Sequence, residues 1–370
     1  MRTITIGMLG AGRATELHMN AYRHVHGVEL RYKTIFDSIN EKADIAKTKY
    51  GFEKTAGSLE EVLNDPEIDV IDICTPPYTH KEFVIKGLKS NKHVICEKPL
   101  CGYFGPGDTD KKIMYESVLK DLNEIEEAVA SSNKQLFYAE NWIYAPAIQK
   151  AAEIIKAKGS KILYAKGEES LAGSSSPVAG LWEKSGGGTL MRVGCHPLGA
   201  ILYLKKIIDP SVRVTKVVAD IDRITDKLTN YEHRHIKANP IDVEDHATVC
   251  LTFSDNTKAV IIACDSRLGG SKNSLELYCN DTVIECNLTM SDIMSTYFID
   301  ENGLNDVEIS EMLQTKCGWN NLSISDEIIR GYLNELQDFI ECISLSLKSN
   351  VNFDVAKSII EIIYKSYMCE

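Results

Sequence analysis

The chain has 370 residues, 44% of them hydrophobic, and a formal net charge of −12. This length favours two domains over one hydrophobic core. The acidic balance argues against a nucleic-acid surface, and no apolar run approaches the ~20 residues that a membrane helix needs. The eleven cysteines are scattered along the chain. Together with an N-terminal segment unlike a secretory signal, they favour reduced thiols and predict a cytoplasmic protein.

Residues 1–140 alternate short apolar runs with segments of helical periodicity. Strands are predicted in ITIGMLG, LRYKTIFD, VIDICTPP, HVICEKPL and QLFYAENW. Helices are predicted over 14–26, in NEKADIAKTKYG, SLEEVLNDP and HKEFVIKGLKSN, and over about 115–132. Ser58 and Glu61 should form a capping box, and Gly51 should end the preceding helix. Strands that alternate with helices predict an α/β domain with a doubly wound parallel sheet.

A glycine-rich turn follows the first predicted strand and opens the first helix. It has the pattern G-x-G-x-x-T, with the residues Gly10, Ala11, Gly12, Arg13, Ala14 and Thr15. Gly10 would make the tight turn, and Gly12 would let the backbone approach a pyrophosphate at the helix N-terminus. Asp37 ends the second strand, where a carboxylate suits the ribose hydroxyls of NAD and repels the 2′-phosphate of NADP. The alternative is that Asp37 caps the following helix.

Lys98 lies directly after a predicted buried strand and beside Pro99. Desolvation at such a position favours a neutral amine, which can accept a proton. The alternative is that Lys98 only pairs with Glu97 or with a phosphate. The sequence therefore offers Lys98 as a candidate acid/base.

Residues 141–370 have a different pattern. After one helix, strands are predicted in KILYAKGEES, VRVTKVVADIDRI, DHATVCLTFSD, KAVIIACDSR, NSLELYCND and DTVIECNLT, and two amphipathic helices follow. We therefore expect an α+β domain with a large open, mostly antiparallel sheet. A Ser/Gly/Pro-rich loop is expected at 170–180, and the run GEESLAGSSSP over 167–177 is expected to overhang a pocket. The histidines His233, His235 and His246 lie near acidic residues, but their loose spacing favours a solvated loop, and we expect no metal.

A family resemblance is carried by the glycine turn and by the segments VIDICTPPYTHKEFVIKGLKSNKHVICEKPL and GGGTLMRVGCHPLGA. The chain resembles the Gfo/Idh/MocA family, which includes glucose–fructose oxidoreductase and inositol dehydrogenases. The resemblance runs through nearly the whole chain. It implies an NAD-binding Rossmann domain over 1–140 and a substrate-binding and oligomerisation domain over 141–370. It also implies an NAD-dependent oxidoreductase that transfers hydride between nicotinamide and a secondary hydroxyl or carbonyl of a sugar, cyclitol or glycoside. The open sheet would join the subunits of a homodimer or homotetramer.

The resemblance implies site residues as well. Cofactor contacts are expected, besides the glycine turn and Asp37, from Thr75, Pro76, Pro77, His80, Glu97 and Lys98. Substrate contacts are expected from Lys98, Asn141, Trp142, Tyr144, Arg192 and His196. Lys98 would be the main acid/base, and His196 would orient the same oxygen or share the proton. The alternative for His196 is a buried structural histidine.

Arg192 departs from the family pattern, because many relatives have an aspartate four residues before the histidine. Three interpretations stay open: Arg192 reverses the local field and favours a neutral base, binds a substrate carboxylate or phosphate, or pairs with a structural acid. Gly186, Gly187 and Gly188 are expected to let the backbone pass close to the ligand. Two other functions are considered: a redox-neutral sugar-modifying enzyme with tightly bound NAD, and a non-catalytic NAD-binding sensor or partner subunit.

Overall fold

The computed structural model describes residues 2–176, 178–289, 295–298, 317–321, 328 and 330–369. The chain divides into two compact units. The first comprises Met1–Gly105, Thr109–Tyr144 and Gly331–Glu361, and the second comprises Pro106–Asp108, Ala145–Arg330 and Ile362–Glu370. No helix in these described ranges is long and apolar enough to span a membrane.

The first unit is built on a six-stranded sheet. Its strands are β1 (Thr3–Leu9), β2 (Glu29–Phe36), β3 (Lys54–Thr55), β4 (Val70–Ile73), β5 (His93–Glu97) and β6 (Leu136–Ala139). The strand order is β3-β2-β1-β4-β5-β6, and every neighbouring pair is parallel. This confirms the predicted doubly wound sheet. The order reverses between β1 and β4, and ligands of such sheets bind where the strands at this reversal end.

Helices connect the strands of the first unit. They are α1 (Arg13–Tyr22), α2 (Asn40–Tyr50), α3 (Leu59–Leu63), α4 (His80–Lys89) and α5 (Lys111–Ala130). Gly51 ends α2 in the left-handed conformation, as predicted. The predicted capping box is only half formed: Ser58 accepts from the amide of Glu61, whereas the Glu61 carboxylate accepts from the amide of Gly57. The side chain of Asp110 caps α5.

The compact units differ from the predicted domain ranges in three respects: Gly331–Glu361 belongs with the first unit, Pro106–Asp108 belongs with the second, and the first unit continues to Tyr144. The segment Gly331–Glu361 contains α10 (Tyr332–Leu345) and the start of α11 (Phe353–Tyr367). Helix α10 packs on α1, and the ring of Phe339 lies 5.0 Å from that of Phe137 in β6. The amide of Tyr138 also donates to the carbonyl of Val351. Sequence distance hid this packing, and the boundary after residue 140 stays a prediction.

The second unit contains a six-stranded mixed sheet. Its strands are β7 (Ile162–Ser170), β8 (Val214–Asp222), β9 (His246–Phe253), β10 (Lys258–Cys264), β11 (Lys272–Cys279) and β12 (Val283–Asn287). The order is β12-β11-β7-β10-β9-β8, with β7 and β10 parallel and the other pairs antiparallel. This confirms the predicted mostly antiparallel sheet. Alternate residues of β9 and β10 are buried, so these strands have one core face. A separate pair is formed by β13 (Ser295–Phe298) and β14 (Gly318–Asn321).

Helices of the second unit are α6 (Pro146–Lys158), α7 (Trp182–Ser185), α8 (Cys195–Lys206) and α9 (Asn230–His233). Helix α8 packs on β7. Lys205 near its end is buried and donates to the carbonyl of Ile162, to Asp255 and to Thr257. Directly before α8, residues Leu190–Gly194 form one wide π-helical turn. This turn contains Arg192 and opens into the helix that contains His196.

Candidate active site

The glycine turn of the first unit has the geometry of a pyrophosphate cradle. Gly10 has φ = 101°, and a Cβ on it would lie 2.5 Å from the carbonyl oxygen of Cys74, so only glycine fits. A Cβ on Gly12 would meet no protein atom within 4 Å. Thr15 is buried, and its hydroxyl donates to the carbonyl of Gly10 at 2.9 Å. Thr15 thus closes the turn where the sequence pattern usually has glycine or alanine.

Asp37 lies beside this turn at the end of β2. Its carboxylate accepts from the amide of Ala11 at 2.8 Å and from the amide of Ile39 at 2.9 Å. Helix α2 begins at Asn40 with Ile39 as its cap residue, so Asp37 supports a turn before the helix and does not occupy the cap position. Arg13 is exposed and pairs with Glu16.

The segment after β4 lies at the same edge of the sheet. Thr75 is half-buried, and its hydroxyl lies 2.6 Å from that of Thr79. Pro76 is exposed, and Pro77 begins a short 3-10 helix over Pro77–Thr79. His80 is buried, with one ring nitrogen 2.8 Å from the carbonyl of Thr75 and the other 2.7 Å from that of Pro99. Burial lowers the pKa of His80, and the ring ties together the segments that leave β4 and β5.

Glu97 and Lys98 end the next strand. Lys98 is half-buried and joins Pro99 through a cis peptide bond. One carboxylate oxygen of Glu97 accepts from the amide of Lys98 at 2.9 Å. The other oxygen lies 3.3 Å from Nε2 of His18, so Glu97 links the backbone of Lys98 to a residue of α1.

Sequence reasoning missed the buried polar cluster behind Glu97. Nδ1 of His18 lies 2.8 Å from a carboxylate oxygen of Asp72, and the hydroxyl of Tyr22 donates to the same oxygen at 2.8 Å. Cys74 lies beside His18 and Asp72, and burial raises the pKa of its thiol to about 12. The available signals were a histidine on the buried side of α1 and an aspartate inside the apolar strand VIDI.

The other expected substrate residues of the first unit lie in a 3-10 helix over Asn141–Tyr144 and are buried. Trp142 is only 1% exposed. The hydroxyl of Tyr144 donates to Asp338 at 2.6 Å, and its ring packs edge-on against Phe339. Burial raises the pKa of Tyr144 well above its usual range. These contacts tie the segment to α10.

In the second unit, the glycine segment before the wide turn packs against protein atoms. A Cβ on Gly187 would lie 2.3 Å from the hydroxyl of Tyr367, and one on Gly188 would lie 1.8 Å from the carbonyl oxygen of Glu244. The carbonyl of Gly186 accepts from the hydroxyl of Tyr364. The glycines were expected to give a ligand access, but the close approach that the structure shows is to Glu244 and Tyr367.

Glu244 holds the glycine segment through its side chain. Its carboxylate accepts from the amides of Gly188 and Leu190 at 2.8 and 2.9 Å and from the hydroxyl of Tyr367 at 2.9 Å. Burial outweighs these hydrogen bonds and raises the pKa of Glu244 to about 7. Glu244 therefore lies in a polar site that the sequence had suggested only as part of a loop.

Arg192 pairs with an acid at the end of β10. Its Nη1 donates to Asp265 at 2.5 Å, and the Asp265 side chain is 5% exposed. Burial raises the pKa of Asp265 in spite of the guanidinium beside it. Of the three interpretations of Arg192, pairing with an acid is the one for which the structure shows a partner. His196 is buried in the first turn of α8.

A cavity of about 260 Å³ lies within the second unit beside this ion pair. Its wall includes part of the run over 167–177, as expected for that run. Hydroxyl, amide, carboxylate and cationic groups surround the space, a set that can hydrogen-bond a polyhydroxylated molecule. The polar lining residues are Ser174, Ser175, Ser176, Arg192, Lys237, Asn239, Glu244, Asp245 and Asp265.

The first unit has a glycine turn at the point where the strand order of its parallel sheet reverses. Gly12 leaves space for a ligand in this turn, and the acidic residue Asp37 ends β2. These features define a dinucleotide-binding domain of the oxidoreductase type. Comparison with known families agrees: residues 4–109 match the model described as oxidoreductase family, NAD-binding Rossmann fold, and residues 164–285 match the GFO/IDH/MocA C-terminal domain. The chain belongs to the Gfo/Idh/MocA family.

Named relatives include dehydrogenases. Levoglucosan dehydrogenase of Pseudarthrobacter phenanthrenivorans is 29% identical over 217 residues, which cover 55% of this chain and 52% of that protein. Myo-inositol 2-dehydrogenase of Thermotoga maritima is 35% identical over 95 residues, which cover 26% of this chain and 28% of that protein. The chain thus spans about half or less of the length of these curated relatives.

Solved structures share the fold over the full chain. GenD2 from gentamicin A biosynthesis, in complex with NAD, has a TM-score of 0.80 at 16% identity and covers 100% of this chain and 94% of its own. Levoglucosan dehydrogenase in complex with NADH and levoglucosan has a TM-score of 0.75 at 20% identity, with coverages of 100% and 97%.

Proposed function

We propose that the protein is an NAD-dependent oxidoreductase that transfers hydride between nicotinamide and a secondary hydroxyl or carbonyl group of a sugar, cyclitol or glycoside. The observation that carries the proposal is the glycine turn. Gly10 cannot carry a side chain because of Cys74, whereas the space at Gly12 contains no protein atom. A pyrophosphate fits there, next to the N-terminus of α1.

The residues of the first unit suit NAD. The amides that open α1 would hold the pyrophosphate, and Asp37 would accept from the adenosine ribose, which disfavours the 2′-phosphate of NADP. Thr75, Pro76 and Pro77 lie at the same edge of the sheet and would line the cofactor. When bound, the nicotinamide supplies the hydride acceptor or donor.

Lys98 is the proposed acid/base. The carboxylate of Glu97 holds the backbone amide of Lys98 at the end of β5. The Lys98 side chain therefore extends from a fixed backbone position, at the edge of the sheet where the cofactor would bind. In the oxidising direction Lys98 takes the hydroxyl proton, and in the reducing direction it returns the proton to the carbonyl oxygen. His196 orients the same oxygen or shares the proton.

We propose that the substrate is a neutral polyol. Arg192 is already paired with Asp265, and the cavity wall carries the acids Glu244, Asp245 and Asp265 against the cations Arg192 and Lys237. This balance does not favour a sugar acid or a phosphorylated sugar. The wall is also rich in hydroxyl and amide groups, which suit vicinal hydroxyls.

A substrate screen that follows NADH absorbance tests the function. The neutral compounds levoglucosan, myo-inositol and free sugars are compared with the charged uronates and sugar phosphates. Each compound is assayed once with NAD and once with NADP as the cofactor. Turnover of a neutral polyol with NAD, lost in Lys98→Ala and kept in Lys86→Ala, is the expected result. Lys86 is a suitable control because it is a half-exposed lysine that pairs with Glu82 on α4. Full turnover in Lys98→Ala would refute the acid/base role.

Two other outcomes lead to the other functions considered. Nicotinamide that copurifies with the protein, with polyol conversion but no net NADH, would indicate a redox-neutral enzyme. NAD binding without any conversion, dependent on a partner protein, would indicate a sensor. A homodimer or homotetramer joined through the open sheet, and a cytoplasmic location, remain part of the proposal; light scattering and cell fractionation test them.

A further inference from the structure

The buried cluster of the first unit connects α1, β4 and β5. His18 is completely buried, with Asp72 2.8 Å from its Nδ1 and Glu97 3.3 Å from its Nε2. Nδ1 is hydrogen-bonded to Asp72, whereas Nε2 meets Glu97 at ion-pair distance without hydrogen-bond geometry. A ring placed between two carboxylates in this way is favoured as the doubly protonated imidazolium.

The charges around His18 support this assignment. Burial is the largest single influence and lowers the pKa of His18, but the charges of Asp72 and Cys74 and the hydrogen bonds to them together outweigh burial, and the pKa lies well above its usual range. Asp72 is in turn held by the hydroxyl of Tyr22. The titratable groups that face His18 or act on it are Tyr22, Asp72, Cys74, Glu97, Tyr332 and Glu335.

Glu335 completes the charge balance. It lies on α10, is completely buried, and neither carboxylate oxygen has a hydrogen-bond partner among the described residues. Burial raises the pKa of Glu335 well above its usual range, which favours the neutral form of the side chain. One imidazolium thus stands between two carboxylates, without a third negative charge in the cluster.

The cluster reaches Lys98 through Glu97. The oxygen of Glu97 that does not face His18 accepts from the amide of Lys98. A continuous set of contacts therefore runs from Asp72 through His18 and Glu97 to the backbone of Lys98. Without the central imidazolium, the buried carboxylates of Asp72 and Glu97 would lose the cation that they share.

We propose that His18 is a positioning residue: its imidazolium links the carboxylates of Asp72 and Glu97 and fixes the backbone from which Lys98 extends. The inference rests on the proposed role of Lys98 as acid/base. Loss of His18 would therefore affect the position of Lys98.

The first test reads Lys98 without a substrate. Trace acetic anhydride acetylates the neutral amine of each lysine, and mass spectrometry of peptides gives the rate for Lys98 as a function of pH. In His18→Asn, the rate for Lys98 should change about two- to threefold, because the displaced backbone moves its amine into different surroundings, and the rate for Lys86 should not change. His18→Gln, whose longer amide can still reach Glu97, should restore the rate for Lys98.

Two variants of the same cluster are matched controls. Tyr22→Phe removes a hydrogen bond to Asp72 but keeps the contact between His18 and Glu97, and Glu335→Gln replaces a neutral side chain by another. Both should leave the labelling of Lys98 unchanged, even where thermal unfolding shows a loss of stability. A change in either control as large as that in His18→Asn, or no change in His18→Asn, would overturn the proposal.

The second test uses NAD and the neutral polyol that the screen identifies. His18→Asn should lower kcat about 10- to 100-fold with the KM for the polyol little changed, because misplacement by roughly an ångström has costs of this order. His18→Gln should recover part of kcat. Activity that survives in Lys98→Ala refutes the proposed function; activity lost in Lys98→Ala but unchanged in His18→Asn refutes only the role of His18.

Discussion

Replacement of Gly188 by alanine isolates the steric requirement of the glycine segment. The added Cβ would lie 1.8 Å from the carbonyl oxygen of Glu244, whereas real Cβ atoms essentially never approach closer than 3.0 Å. The obstacle is backbone, which cannot rotate away as a flexible side chain can. Gly188 has no positive φ, so the substitution adds a steric clash without the strain of a left-handed alanine.

The cost follows from the contacts that a shift of roughly an ångström would break. Overpacking costs about 1–3 kcal/mol. The amide of Gly188 would also lose its hydrogen bond to the Glu244 carboxylate, and that of Thr189 its hydrogen bond to the Glu244 carbonyl, for about 2–4 kcal/mol together. A total of about 3–7 kcal/mol corresponds to a fall in Tm on the order of 10 °C for a unit of this size.

Thermal and urea unfolding of the full chain, followed by circular dichroism, measures this loss. Gly12→Ala without NAD is the control, because its Cβ would meet no protein atom within 4 Å and its stability should stay within about 1 kcal/mol of the wild type. A Gly188→Ala protein that melts within about 2 °C of the wild type would show that the segment can relax, and the steric argument would be wrong.

Three further predictions concern other contacts. With NAD present, Gly12→Ala should weaken cofactor binding at least tenfold in a fluorescence titration; unchanged affinity would remove the pyrophosphate from this turn. Because the pKa of Glu244 is raised from 4.5 to about 7, its stabilising effect is full below pH ~4.5 and is lost as the pH rises through about 7, by about 3 kcal/mol. Urea unfolding should show this slope in the wild type and not in Glu244→Gln. Lys205→Met should lower the free energy of unfolding by about 2–4 kcal/mol, because Asp255 loses a buried partner; calorimetry checks it.

The first domain could be predicted well because its signals are local. Apolar runs that alternate with segments of helical periodicity indicate a parallel sheet. Gly10 and Gly12, which shape the proposed cofactor turn, lie within a single turn of the chain. The open sheet of the second unit was equally visible in the alternation of β9 and β10. Packing between distant segments was not visible: α10 joins the first unit through Phe339, and nothing in its amphipathic pattern names the partner.

The polar contacts of the site also join residues that are distant in sequence, and such contacts could not be predicted. His18 and Asp72 are 54 residues apart, and Arg192 and Asp265 are 73 residues apart, so neither pair could be assigned by spacing. The sequence indicated that Arg192 departs from its relatives but left its partner open among every acid of the chain. The contacts of the glycines were not predictable for a related reason, because a glycine beside a ligand and a glycine beside Glu244 look alike in sequence.

The wide turn over Leu190–Gly194 also changes what a spacing of four residues means. In a regular α-helix, residues four apart share one face, and this is the basis for pairing Arg192 with His196 as neighbours. Each residue of a π-helical turn advances the chain around the axis by a smaller angle, so the phase of the helix shifts between the two. Arg192 extends to Asp265, while His196 follows the phase of α8. Roles transferred from relatives across this turn should therefore be matched by position in space, because residue count alone no longer identifies equivalent side chains.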